Sequence, residues 1–402
     1  MLRKEFVKMG KLTELDDIRR QRQKRRTARQ ILLLLVIIPV AAILYVLKDS
    51  ILNSEFATNM QSLFKNANSV IGYPVDLPEN EIIKITGFNQ DLLVQSRTNL
   101  YIYDKRGMQI NSIQLNYKSP IIKTAKKRFL VYDQGQNSLS VYSRTKQLKK
   151  ITYNYPITVA DMAQNGTYAV STGEQQYVSQ VIVYNSSNSE QFKWSSADKI
   201  VNALALSDNG KYIAITCIDV AGGVLESNIL IFDTGKTEPV ASFSIENSIV
   251  LSIEYKLNNN ISVITDNKAL LYSNSGEKLA EYDYQAQGIS FFDNSQPCNT
   301  MLVTGIFSQE HKLDIVNLDE SYKPKAVKTV AKPVNSAVCE GNFIFIMSDN
   351  ELICYTAALD ELYSELLVDS YLICPIGETV YYNTSEQIKL AKIANNTQTN
   401  HP

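Results

Sequence analysis

The sequence predicts an all-β fold, an eight-bladed β-propeller, carried behind an N-terminal transmembrane helix and a short helical stalk. Three observations predict it. A short strand motif recurs with a period of about 41 residues, which is the range of propeller blades. The apolar runs are rich in Ile, Val, Leu, Tyr and Phe and are separated by Asn, Asp, Gly and Ser turns. Near the N-terminus, Ile31 to Leu47 form 17 consecutive apolar or proline residues.

Composition sets the outer bounds. With 402 residues and 45% hydrophobic content, the chain suits several domains or one large repeat domain. Lys and Arg total 40 and Asp and Glu 41, a net charge of -1. The balance is uneven. Residues 1–30 hold eleven basic and four acidic residues, a charge of +7, which leaves −8 on the remainder. This argues against a freely soluble cytosolic enzyme. It also argues against a nucleic-acid binder with a basic folded domain, so no nucleic-acid partner is expected.

Residues 1–30 read as a basic cytoplasmic tail and residues 31–48 as the transmembrane helix. The apolar run is about 26 Å long as a helix, at the short end of a bilayer span. Arg29 and Lys48 flank it and can snorkel. Pro39 is tolerable inside a membrane helix as a kink. Lys24, Arg25, Arg26 and Arg29 directly precede the run, so the positive-inside rule keeps the N-terminus cytoplasmic. The same cluster is a candidate contact for anionic lipid headgroups. The membrane is thus an expected partner, and the expected location is the cell membrane, single-pass, with the C-terminal domain extracytoplasmic.

Residues 49–70 carry Leu52, Phe56, Met60, Leu63 and Ala67 at helical spacing, and predict an extracytoplasmic helical stalk. From Gly72 the helical period disappears. The propeller is expected over 71–394, and 395–402 as a disordered tail.

The repeating strand ends at positions 103, 142, 184, 232, 272, 316, 355 and 391. A second run precedes each copy, as in Phe129–Asp133 and Tyr212–Thr216. Turn-formers such as Asp266-Asn267 join the two as a hairpin. An earlier strand, such as Val250–Tyr255, and a later one, such as Lys278–Tyr284, complete a four-stranded unit. The eighth unit runs out of chain before its fourth strand. The strand-like Tyr73–Leu77 is the candidate to supply it, closing the ring with the other terminus and removing an exposed edge. Eight blades follow from this count, with seven as the alternative.

Ala205–Ala214 (ALSDNGKYIA), leading to Ile229–Asp233 (ILIFD), resembles the repeat of TolB-like and WD-repeat-like propellers. Met162–Val170 is a weaker copy. The whole layout resembles bacterial single-pass membrane-anchored β-propeller proteins. In blade number it is similar to the envelope scaffold propellers of outer-membrane assembly machinery. The chain departs from these patterns in having one tryptophan, Trp194, followed by Ser195, so the Trp-Asp dipeptide and the tryptophan docking motifs of quinoprotein dehydrogenases are absent. The resemblance implies a fold more than an activity.

The chemistry-bearing residues are sparse. Two histidines, His311 and His401, exclude an imidazole-rich metal centre. The five cysteines, Cys217, Cys298, Cys339, Cys354 and Cys374, show no C-x-x-C spacing and read as small hydrophobes of strands, with one bridge as the alternative. No nucleotide, zinc-protease or calcium motif is present. No catalytic, metal or cofactor-binding residue is assigned, and no cofactor is expected. Asp161 and Glu254 sit where inner strands of a propeller face the channel. The irregular place is the connection at 219–228 (DVAGGVLESN), in the longest unit. Its Gly222, Gly223, Val224 and Leu225 are the candidate interaction loop.

The function expected from these features is a membrane-anchored, non-enzymatic scaffold binding a protein partner or an envelope polymer. The alternatives are an extracytoplasmic ligand sensor acting through the stalk and a hydrolase with a channel-mouth site. The sequence leaves the oligomeric state open.

Overall fold

In the computed structural model the repeat becomes eight four-stranded antiparallel sheets. The structure describes residues 72–392, apart from 78–80, 222, 285–286, 296–298 and 368. Seven sheets take their strands in chain order from the channel outward. In blade one these are Ile82–Phe88, Asp91–Ser96, Asn99–Tyr103 and Gln109–Gln114. Blade eight is built from Ile373–Ile376, Thr379–Asn383 and Gln387–Lys392, with Val75–Asp76 added at its outer edge.

Burial explains the composition of each strand. The second and third strands lie between neighbouring blades and are covered on both faces. Asp91–Ser96, Tyr168–Thr172 and Ile261–Thr265 are buried at every position. The outermost strands have one wet face and alternate, as Lys278–Asp283 does. The core is accordingly a set of layers between blades. One joins Ala169, Val181 and Val183 of blade three to Ile213, Ile215 and Phe232 of blade four. Another joins Leu92, Val94 and Tyr101 of blade one to Tyr381 and Ile388 of blade eight. Each blade hides its apolar faces only against its neighbours, so the ring must close.

The closing strand sits on that last layer. Val75 pairs with Ile388 and Asp76 with Gln387. Leu77 N–H donates to Glu386 O at 2.8 Å, and Gln387 Nε2 donates to Asp76 Oδ1 at 2.8 Å. The ring of Tyr73 meets Tyr381 edge-on at 5.1 Å. On the other side, a Cβ at Gly107 in blade one would fall 2.8 Å from Gly72 O. The segment is wedged between the first and last blades.

The expectation of a single-pass membrane anchor is corrected here. Among the described residues no helix is long and apolar enough to cross a membrane. The helix they contain, Phe307–Glu310, has four residues and no buried side chain, against the roughly 20 apolar residues that a span needs. The positions assigned to the transmembrane helix, 31–48, and to the stalk, 49–70, lie outside the described residues. The resemblance therefore holds for the propeller and not for a membrane-anchored layout. The transmembrane helix, the extracytoplasmic placement at the cell membrane and the membrane as partner form no part of the functional reading.

Candidate functional site

The inner strands position two surfaces, one at each end of the channel. The first is a cavity of about 510 Å³ to which all eight blades contribute. The inner strands begin with a bulge in most blades, for example between Ile82 and Lys84 and between Val250 and Ser252. Beyond the bulge, alternation sends one set of side chains into the blade and the other into the channel. Ile253 and Tyr255 are buried in the blade, and Glu254 between them faces the cavity. In the same way Ile85 is buried beside Lys84.

The charges are distributed unevenly around this ring. Lys84 and Lys123 come from blades one and two. Asp161, Asp208, Glu254, Asp293 and Glu340 come from blades three to seven. Three of the carboxylates stitch their blade to the next. Asp161 Oδ2 accepts the Leu206 N–H at 3.0 Å. Asp293 Oδ2 accepts the Cys339 N–H at 3.0 Å, and Glu340 Oε1 accepts the Gly377 N–H at 3.1 Å. Asp161 also pairs with Lys123, whose Nζ lies 3.5 Å from Oδ1. This carboxylate holds the Lys123 ammonium well above its ordinary value, with a smaller contribution from Glu254.

Glu254 and Lys84 have different surroundings. Among the described residues neither has a hydrogen-bond or ion-pair partner. Burial pushes the Glu254 carboxyl up to about 7; Asp161 and Asp293 add to the rise, while Lys123 and Lys256 oppose it. Burial lowers the Lys84 ammonium below its ordinary value, and the neighbouring Lys123 lowers it further.

Two thiols also reach the cavity, and burial pushes that of Cys374 up to about 12. A thiol so shifted stays protonated at neutral pH. The four described cysteines, Cys217, Cys339, Cys354 and Cys374, are all buried, and no disulfide joins any two of them. His311 sits elsewhere, capping the short helix between the second and third strands of blade six, with its ring edge-on to Phe307 at 5.9 Å. Among the described residues no group of three or more His, Cys, Asp and Glu could hold a metal ion.

The second surface lies at the opposite end, where the second and third strands join. The segment 219–228 is mostly strand rather than irregular connection. Tyr212–Ala221 and Val224–Asp233 run antiparallel for ten residues each, with Ala221 opposite Val224. Gly223 in the turn has φ of +84°, a value that suits glycine. Lys199 Nζ braces the hairpin through Asp219 Oδ2 at 3.0 Å. Val220 is 62% exposed and Val224 47%, while Leu225 is half-buried. Gly222 lies outside the described residues, as do Lys24, Arg25, Arg26 and Arg29.

Exposed apolar side chains continue around this hairpin. Tyr177 and Val178 stand on blade three, Ile200 at the base of blade four and Leu251 on blade five. Hydrogen bonds between side chains and backbone hold these segments side by side. Ser179 Oγ accepts the Val201 N–H at 3.1 Å, and Asn202 Nδ2 donates to Val250 O at 2.9 Å.

Sequence reading placed Asp161 and Glu254 at the channel, and both line the cavity. It did not single out Lys84, Lys123, Asp293 or Glu340. The available signal was positional, since each is a polar residue in or at the end of an inner strand otherwise rich in apolar side chains. The neighbours Tyr177, Val178, Ile200 and Leu251 were also missed, because their proximity to the hairpin is tertiary.

The fold is similar to a solved structure, the C-terminal WD40 domain of Sif2, with a TM-score of 0.58. The match covers 81% of this chain and 99% of that one at 10% identity, which bears on the fold alone. No curated protein sequence matches the chain. The profile of a family of unknown function, DUF5711, matches residues 64–392, well over half of the sequence, and the protein belongs to that family.

Proposed function

We propose that the protein is a non-enzymatic interaction module that docks a protein partner on the face carrying the blade-four hairpin. The observation that carries this reading is the set of exposed apolar side chains, Val220, Val224, Ile200, Tyr177, Val178 and Leu251, that blades three to five present at the end of the ring where the second and third strands join. Apolar side chains gathered on one exposed face are the feature that marks interaction surfaces. The hairpin is held by paired strands and the Lys199–Asp219 bridge, so docking needs little ordering of the site. Gly223, Val224 and Leu225 lie at its tip, and within this reading they meet the partner first.

The test is site-specific photo-crosslinking in cells that make the protein. A crosslinker replaces Val224 in one variant, and Leu257 or Leu279, exposed elsewhere on the ring, in two controls. The expected result is a discrete adduct from position 224 that disappears when Ile200→Asp is added. Adducts that form equally from the controls, or that survive Ile200→Asp in full, would overturn the reading.

A further inference from the structure

A second, independent feature is the channel cavity, which the docking reading does not use. Its volume, about 510 Å³, lies in the range of small-molecule sites. Its charges are nearly all accounted for by the fold itself. Asp161 is taken by Lys123 and by Leu206 N–H, Asp293 by Cys339 N–H, and Glu340 by Gly377 N–H. Asp208 stands at the exposed rim, in the turn after the inner strand of blade four.

Lys84 and Glu254 remain. One belongs to blade one and the other to blade five, four positions apart in a ring of eight. They therefore face each other across the channel and are not placed to pair along one wall. A side chain of each sign is left without an ion-pair or hydrogen-bond partner among the described residues, and both line the same cavity.

We propose that the cavity binds a small zwitterion, an amino acid or short peptide, with its anionic end at Lys84 and its cationic end at Glu254. A ligand of one sign would satisfy one wall and leave the other unpaired. A zwitterion neutralises both and adds no net charge to the ring. A metal ion fits less well, because the carboxylates are spread around the wall and three already accept backbone hydrogen bonds. Thr86 and Gln164, also in the lining, add uncharged hydrogen-bonding groups for the middle of such a ligand.

The proposal has a pH signature. The groups that face Glu254 are Lys123, Asp161, Lys256 and Asp293, and those that face Lys84 are Lys123 and the Cys374 thiol. A cationic ligand end needs the ionised form of Glu254. Affinity should therefore rise as pH rises through about 7, with release of a proton on binding below that pH.

Isothermal titration calorimetry on the full chain tests this. The probes are free α- and ω-amino acids and glycyl dipeptides, with butylamine and butyrate as singly charged controls. At least one zwitterion should bind about tenfold more tightly than either control, a difference of about 1.4 kcal/mol. Lys84→Met should abolish the advantage over butylamine, and Glu254→Gln the advantage over butyrate. Both variants should keep the wild-type circular dichroism spectrum. If butylamine binds as tightly as every zwitterion, or no zwitterion binds, the proposal fails. It also fails if folded Lys84→Met and Glu254→Gln proteins bind with wild-type affinity.

Discussion

Lys123 Nζ lies 3.5 Å from Asp161 Oδ1, while the other oxygen of that carboxylate accepts the Leu206 N–H at 3.0 Å. One side chain on blade three thereby ties blade two to blade four at the channel wall. Asp161→Ala leaves the Leu206 N–H without its acceptor and Lys123 without its nearest counter-charge. Lys123 is partly hydrated, so most of the cost falls on the backbone group. We expect a loss of about 2–3 kcal/mol in urea unfolding. Asp161→Asn keeps an acceptor and should lose about half as much.

The turn after the inner strand of blade four is the second point of strain-sensitive contact. Gly210 has φ of +67°, and a Cβ there would fall 2.6 Å from Thr167 Oγ1 of blade three. Asn165 Nδ2 also donates to Asn209 O at 2.6 Å across the same seam. Gly210→Ala must accept a left-handed backbone and push Thr167 aside. The expected loss is about 2–3 kcal/mol. In the double variant with Thr167→Gly, the total should fall short of the sum of the single losses, as a thermodynamic cycle would show.

Glu254 gives the stability of the ring a pH dependence with a defined sign. Its carboxyl titrates at about 7 in the folded protein, against an ordinary value of 4.5. The folded state therefore holds a proton that the unfolded state has released, and stability falls as pH rises between those two values. Glu254→Gln removes the penalty. Below pH about 4 the two proteins should differ little. Above pH about 7 the variant should be the more stable, by about 1–3 kcal/mol. Urea midpoints measured at both ends of the range check this, and a wild-type advantage at high pH would contradict it.

Ring closure depends on Tyr73, which meets Tyr381 edge-on and donates from its hydroxyl to Asp104 O at 3.2 Å. Tyr73→Phe should cost about 0.5–1 kcal/mol through the lost hydrogen bond. Tyr73→Ala also loses the ring contact and should cost about 2–3 kcal/mol. Limited proteolysis should then cut near residue 77 before any interior hairpin, because the outermost strand of blade eight is held by two residue pairs.

Much of the wheel was legible because each blade repeats one physical requirement. Runs such as Phe129–Asp133 and Val181–Tyr184 must be apolar on both faces to fill the layers between blades, and that pattern survives in the linear order. The turn at Asp208–Gly210 was legible for a similar reason, since its left-handed glycine is a local demand. The hairpin of blade four was visible only as extra length. Sequence could not separate an irregular loop from ten paired residues on each side, because the pairing of Val220 with Leu225 is a matter of register. The anchor was read from the apolar run at 31–48, which is outside the described residues, and no described helix replaces it.

What the sequence determined by itself, then, is the architecture. Alternation, turn chemistry and period are local properties, and eight copies of them leave few ways to bury the faces. The tertiary structure decided which polar residues are partnered. Asp161, Asp293, Glu340 and Glu254 are carboxylates of inner strands or their ends, and nothing nearby in the chain distinguishes the first three from the fourth. The difference is set by the next blade, 37 or more residues away, which offers a backbone N–H to three of them. The opposition of Lys84 and Glu254 has the same origin, because only closing the ring brings blade one to face blade five.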